Sequence, residues 1–147
     1  MNYEVKNILS KLPKKPTKLS RIELSKVDDI AEAINEADIL YYNTIAQRVD
    51  EIQNSESPAE IIMLCNELNI DVQNFVKLIP PVDRMLADLE SQIRDLGIEL
   101  PSDVIELSGK IEMLIGLQND ALTFAGRTES IKDAVEVLSR TKDNLSN

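Results

Sequence analysis

The chain has 147 residues, a net charge of −10, one cysteine and no histidine. Its length suits one ordinary domain, and an apolar fraction of 43% supports a packed core rather than a disordered chain. Without histidine there is no Ser-His-Asp or Cys-His catalysis, no imidazole zinc site and no Glu-x-x-His di-iron bundle site.

The charge is unevenly spread. Residues 1–21 carry Lys6, Lys11, Lys14, Lys15, Lys18 and Arg21 against Glu4, a net of +5, and the remainder carries a net of −15. Two parts follow: a basic N-terminal arm over 1–21 and an acidic body over 22–147. Within the arm, Val5, Ile8, Leu9 and Leu12 are spaced i, i+3, i+4, i+7, which gives an apolar face of about two helical turns. Lys6 and Lys11 flank it, and Pro13-Lys14-Lys15-Pro16 follows as a stiff basic spacer. So short a segment is marginal as a helix alone in water and is expected to order on docking. An acidic body repels nucleic acid and anionic membranes, so contact with either falls to the arm.

After Ser20 the periodicity is helical. Val27, Ile30, Ile34, Ala37, Tyr41, Ile45, Val49 and Ile52 recur every three or four residues, which predicts one helix of about 30 residues ending at Asn54-Ser55-Glu56. Ser57-Pro58-Ala59-Glu60 reads as a capping box with proline at the first helical position. The stripe Ile61, Cys65, Leu68, Val72, Phe75, Ile79 then runs with gaps of 4-3-4-3-4 to Pro80-Pro81, where the helix is expected to stop. A third helix is expected to carry Val82, Met85, Leu86, Leu89, Ile93 and Leu96, with Gly97 as a left-handed stop and Ile98 as its hydrophobic contact. Pro101-Ser102-Asp103 opens a fourth, carrying Val104, Leu107, Ile111, Leu114, Ala121 and Ala125. Gly126 is expected to end or kink it, and Thr128 to cap a fifth carrying Ile131, Ala134 or Val135, Leu138 and Leu145.

Short connections favour antiparallel neighbours, so the fold class is all-α: an antiparallel bundle of four to five amphipathic helices with an extended or short amphipathic N-terminal arm. Leu24, Ile39, Leu40, Tyr42, Ile62, Met63, Val76, Leu117, Leu122 and Val137 fall off the main stripes. That surplus of apolar surface favours association.

Chemistry is sparse. Cys65 lies on an apolar stripe and reads as a small buried hydrophobe, and a lone cysteine excludes a disulfide framework. Gly109-Lys110 lacks the preceding glycine of a phosphate-binding loop. Asp28, Glu32 and Glu36 share a helix face that reads as solvated. No catalytic, metal or cofactor site is expected.

One local pattern resembles the helix-turn-helix family of DNA readers. Cys65, Asn69, Ile70, Phe75 and Leu78 occupy that family's small, turn-forming and apolar positions. The resemblance covers about 20 residues and implies a turn at Asn69-Ile70, with Gln73 and Asn74 facing bases. It departs from the family in charge. Lys77 is the one basic residue between Pro58 and Pro81, against Glu60, Glu67 and Asp71, whereas phosphate neutralisation dominates DNA affinity.

The expected function is therefore a non-enzymatic helical structural or interaction protein, a component of a multi-subunit assembly such as a virion or scaffold, joined through its arm. The partner-binding residues are Val5, Lys6, Ile8, Leu9, Lys11, Leu12, Lys14, Lys15 and Lys18, facing a protein partner or a second copy of the chain. The alternative is a small nucleic-acid-binding regulator using the arm and residues 61–79. No signal peptide or span of transmembrane length is visible, so the expected location is cytoplasmic or within a virion.

Overall fold

A computed structural model describes residues 19–146, with side chains through Lys142; the partner-binding residues expected in the arm lie outside the described residues. The described chain is all-helical. Three rods stand where four or five helices were expected. The first comprises α1 (Arg21–Leu40), a π-helical turn (Tyr41–Ile45) and α2 (Ala46–Asn54); the others are α3 (Pro58–Asp95) and α4 (Ser102–Ser146).

Local chemistry explains the ends. Ser20 caps α1 with a complete capping box: its Oγ accepts from the Glu23 amide, and Glu23 accepts from the Ser20 amide at 3.0 Å. The expected box at Ser57 is half formed. Ser57 Oγ accepts from the Glu60 amide at 3.4 Å, but the Ser57 amide goes to Ser55 Oγ instead. Gly97, at φ +73, closes α3 as expected: the Gly97 amide donates to Arg94 O and the Ile98 amide to Ile93 O, the two bonds of a Schellman motif.

The π turn has a sequence cause. Ala37, Tyr41, Ile45 and Val49 are spaced by successive fours, which would rotate the apolar stripe about 40° per step around an ideal α-helix. One wider turn, with the Ala46 amide reaching Tyr41 O, absorbs the drift, so Tyr41 and Ile45 are both buried. Within it the Thr44 hydroxyl donates to Leu40 O.

The expected break at Pro80-Pro81 is absent: α3 continues through both prolines. The buried stripe stays in phase across them, with Phe75, Ile79, Val82, Leu86, Leu89 and Ile93 spaced 4-3-4-3-4. An interior proline costs about 3 kcal/mol. Burial of each large aliphatic side chain contributes about 1.5–3 kcal/mol, so keeping five of them in one seam outweighs the loss. Both prolines face solvent, where water can reach the carbonyls they leave unbonded.

Gly126 does not end the fourth helix either, and Thr128 caps nothing. Thr128 is fully buried inside α4, with its hydroxyl donating to Ala125 O at 2.7 Å. The fourth and fifth expected helices are therefore one. The helix-turn-helix reading also fails in the fold, because Asn69 and Ile70 are interior residues of α3 and no turn exists there.

Cross-helix pairs fix the directions. Lys26 meets Gln92 and Arg48 meets Asp71, so the first rod runs antiparallel to α3. Asn69 meets Thr128 and Asn66 meets Lys132, so α4 runs antiparallel to α3 and parallel to α1. One core runs along all three rods, from Ile30 and Ile93 to Phe75 and Ala121.

Candidate interaction surface

Polar pins hold one end of the bundle. Arg48 bridges α2 to α3, with Nη1 at 3.0 Å from Glu67 and Nε at 3.3 Å from Asp71, and Glu51 on its own helix at 3.5 Å. Burial lowers the Arg48 pKa, but the bond to Asp71 and the three carboxylates reverse this, and the net direction is upward. Across the other seam Asn69 Nδ2 donates to Thr128 Oγ1 at 3.0 Å. One turn on, Lys132 Nζ donates to Asn66 at 3.1 Å and pairs with Glu129 at 2.8 Å, a bond that raises its own pKa. Cys65 is buried beside them; burial pushes its thiol pKa up and Lys132 partly offsets this. These side-chain bonds tie α3 to α2 on one side and to α4 on the other.

Clefts run along the seams between rods. Between α1 and α4, one is lined by Ala31, Ile34, Asn35, Asp38, Lys110, Met113 and Leu114. Met113 stands 72% exposed over it, the most exposed large apolar side chain among the described residues. The same faces can be followed by helical spacing. Asp28 precedes Ala31 by three residues, and Glu106 and Asp120 lie seven either side of Met113. At the π turn Tyr41 is buried against Phe75, its ring centroid 5.5 Å away, while the half-exposed Tyr42 meets Tyr41 edge-on at 5.1 Å. Burial, then Asp120, then Tyr42 raise the Tyr41 pKa, which places Asp120 beside that turn.

The opposite cleft, between α3 and α4, is lined by Asn69, Val72, Gln73, Val76, Lys77, Leu122 and Ala125. A third joins Val49, Ile52 and Gln53 of α2 to Phe124, Arg127 and Ile131 of α4 over Leu68. A fourth, between α1 and α3, is lined by Lys26, Ile30, Met85, Asp88, Leu89 and Gln92. Each of these three includes a cation.

Of the ten apolar residues that fell off the main stripes, Leu24, Ile39, Tyr42, Met63, Leu122 and Val137 are exposed, and Leu40, Val76 and Leu117 pack against the core's edge. Met113 was not among them. The signal that could have found it is glycine spacing: Gly109 and Gly116, seven apart, share its face of α4. Asp28, Glu32 and Glu36 gather no further ligands, and among the described residues no group of three or more potential ligands is placed to hold a metal ion. No described helix is long and apolar enough to cross a membrane. No family model, no curated protein and no solved structure matches this chain.

Proposed function

We propose that this chain is a non-enzymatic structural subunit, joined to its neighbours in a larger assembly through its basic N-terminal arm. The assembly is of the virion or scaffold kind, inside a particle or the cytoplasm. The observation that carries this reading is charge segregation, a net of +5 on residues 1–21 against −15 on the rest. Such opposed fields favour encounter between the arm of one copy and the body of another. Two further features support it. The body exposes large apolar side chains, including Met113, Leu138 and Ile22. The chain also has no histidine and no glycine-built phosphate loop with which to run common active-site chemistry.

The test is the light-scattering mass of the full chain against one lacking residues 1–20, at low and high salt, with absorbance at 260 nm recorded. An oligomer that becomes monomeric on truncation, free of nucleic acid, is the expected result. Full-length monomer carrying nucleic acid that salt releases would overturn it and support a nucleic-acid-binding regulator.

A further inference from the structure

We propose that two copies of this chain pair through the ends of their α4 helices, each tail filling in the other the place that the first rod leaves empty. The contact is separate from the arm. The first rod stops at Asn54, and Gln53, at its end, lines a cleft with Ile131 of α4. From there α4 runs on to Ser146, about 22 Å further. The pairs Asn69–Thr128 and Asn66–Lys132 set the alignment of α3 with α4, and continuing it places Pro58 level with residue 140. Beside residues 132–146 the described chain therefore offers only the Ser55-Glu56-Ser57 connection and the first turns of α3.

Apolar spacing shows that the place is built to be filled. Leu117, Phe124, Ile131 and Leu138 recur every seven residues along α4. Leu117 and Phe124 pack against the core and Ile131 lines the α2–α4 cleft, but Leu138 is 68% exposed and Val137 beside it 60%. The line that meets the first rod outlasts it.

Charge points to a second copy as the occupant. Residues 22–126 hold the whole −15 of the body, whereas 127–147 are neutral: Glu129, Asp133, Glu136 and Asp143 offset Arg127, Lys132, Arg140 and Lys142. Two acidic bodies repel, and the tail is where copies can meet without facing that charge. A basic segment gains nothing on a neutral stretch. Nor can the chain's own apolar arm segment reach it: eight residues from Leu12 to Ser20 span at most about 29 Å in any conformation, against about 51 Å along the first rod.

The same charge sets the direction. An antiparallel pair centred on Leu138 puts the two −15 bodies at opposite ends, whereas a parallel pair sets them side by side. It also restores a third rod, because the partner's tail runs beside α3 and α4 back to the level where the first rod ends. The contact is isologous and closes on itself. An overlap of about 22 Å is small against a standard interface, so the contact is weak alone. In an assembly already joined by arms it acts at raised effective concentration.

The experiment is sedimentation equilibrium of concentrated full-length protein at low and high salt, beside Leu138→Glu and, as the control, Met113→Glu. Met113 is the more exposed of the two but lies in the acidic stretch. Both sites are exposed, so both variants fold. Salt screens the repulsion between bodies, so tail pairing should strengthen in high salt, opposite to any attraction between arm and body. Leu138→Glu is expected to weaken the high-salt association at least tenfold, and Met113→Glu to leave it within twofold. Under mild oxidation Leu138→Cys should form a covalent dimer. Ala134→Cys, about 12 Å from its counterpart in an antiparallel pair, should not. If the parent is monomeric in high salt at every concentration, or Leu138→Glu leaves its mass unchanged, the tail contact falls while the arm reading stands. Equal losses in Met113→Glu and Leu138→Glu also overturn it. Cross-linking of Ala134→Cys as fast as that of Leu138→Cys shows a parallel pair and overturns the antiparallel arrangement.

Discussion

The two ends of the bundle are built on different principles. At one end Ile30 and Ile34 of α1, Val82, Leu86, Leu89 and Ile93 of α3, and Val104, Leu107, Ile111 and Leu114 of α4 make an aliphatic seam. Between rods there, Lys26 Nζ donates an exposed hydrogen bond to Gln92. At the other end the Tyr41 and Phe75 rings pack with centroids 5.5 Å apart, Ala121 lies in the same core with Phe124 and Ala125 at its edge, and Thr128, Asn69 and Arg48 supply hydrogen bonds. An aliphatic heptad seam is strong but degenerate, because a slip of seven residues presents much the same surface. Large side chains set opposite small ones, and a polar pair with one partner each, penalise that slip. The first end supplies adhesion and the second supplies register.

The largest effect should come from the aliphatic end. Ile93→Ala removes a fully buried side chain and should cost about 2–5 kcal/mol in denaturant unfolding, with an unchanged dependence on denaturant. A loss under 1 kcal/mol would mean that the α3–α4 turn collapses onto the cavity and that the seam is looser than it looks.

At the pinned end the expected result depends on removing one partner or two. Thr128→Val leaves the half-buried Asn69 amide without its partner and should cost about 1–3 kcal/mol. Asn69→Leu with Thr128→Val removes both groups and should recover most of that loss. The double variant should also pack α3 and α4 less uniquely, read as broadened methyl resonances at retained stability. If its spectrum stays as sharp as that of the parent, the pins do not set register and the division of labour drawn above fails.

Two buried titratable side chains, Tyr41 and Cys65, lie at the second end. Burial and Asp120 raise the Tyr41 pKa, and burial raises that of Cys65. A group whose folded pKa is raised contributes stability that is whole below its unfolded pKa and is lost as pH rises through the folded value. The window therefore opens near the unfolded thiol value of about 8.5 and continues past the phenol value of about 10. Thermal midpoints should fall across that range, and less steeply in Cys65→Ala and in Tyr41→Phe. Equal alkaline slopes in parent and variants would place the loss elsewhere. Arg48→Met should cost about 1 kcal/mol or less, because the guanidinium is about a third exposed, and the difference should shrink in high salt.

The same division explains what the sequence made legible. Apolar spacing identified nearly every buried residue, because burial and period are the same fact seen twice. Helix ends written in backbone chemistry were also readable at Gly97 and Ser102, and the Ser20–Glu23 box could have been read by the same rule. Pro80-Pro81 and Gly126 misled because local preference was set against a seam whose phase continues through them. The unbroken 4-3 spacing from Ile61 to Ile93 was the evidence that tertiary burial would win. Thr128 reads as a cap in sequence. Only its neighbour Asn69, 59 residues away, makes it an interior pin. The clefts were least legible, since they depend on which faces neighbouring rods turn outward.

The smallest effect is the most discriminating for the tail of α4. Gly116 and Gly126 are both helical, and neither has a neighbour that an added Cβ would meet. Gly116→Ala and Gly126→Ala should each raise stability by about 0.5–1 kcal/mol through helix propensity alone. Leu138→Ala should change it by about 0.5 kcal/mol or less, because that side chain already meets water. The three differ in association. If a second copy's tail lies over Leu138, Leu138→Ala should weaken pairing of the copies in high salt, and the two glycine substitutions should change stability only. A loss in association without a loss in fold cannot arise from general loosening of the bundle. It requires something outside the chain to use the apolar face of α4 beyond the end of the first rod.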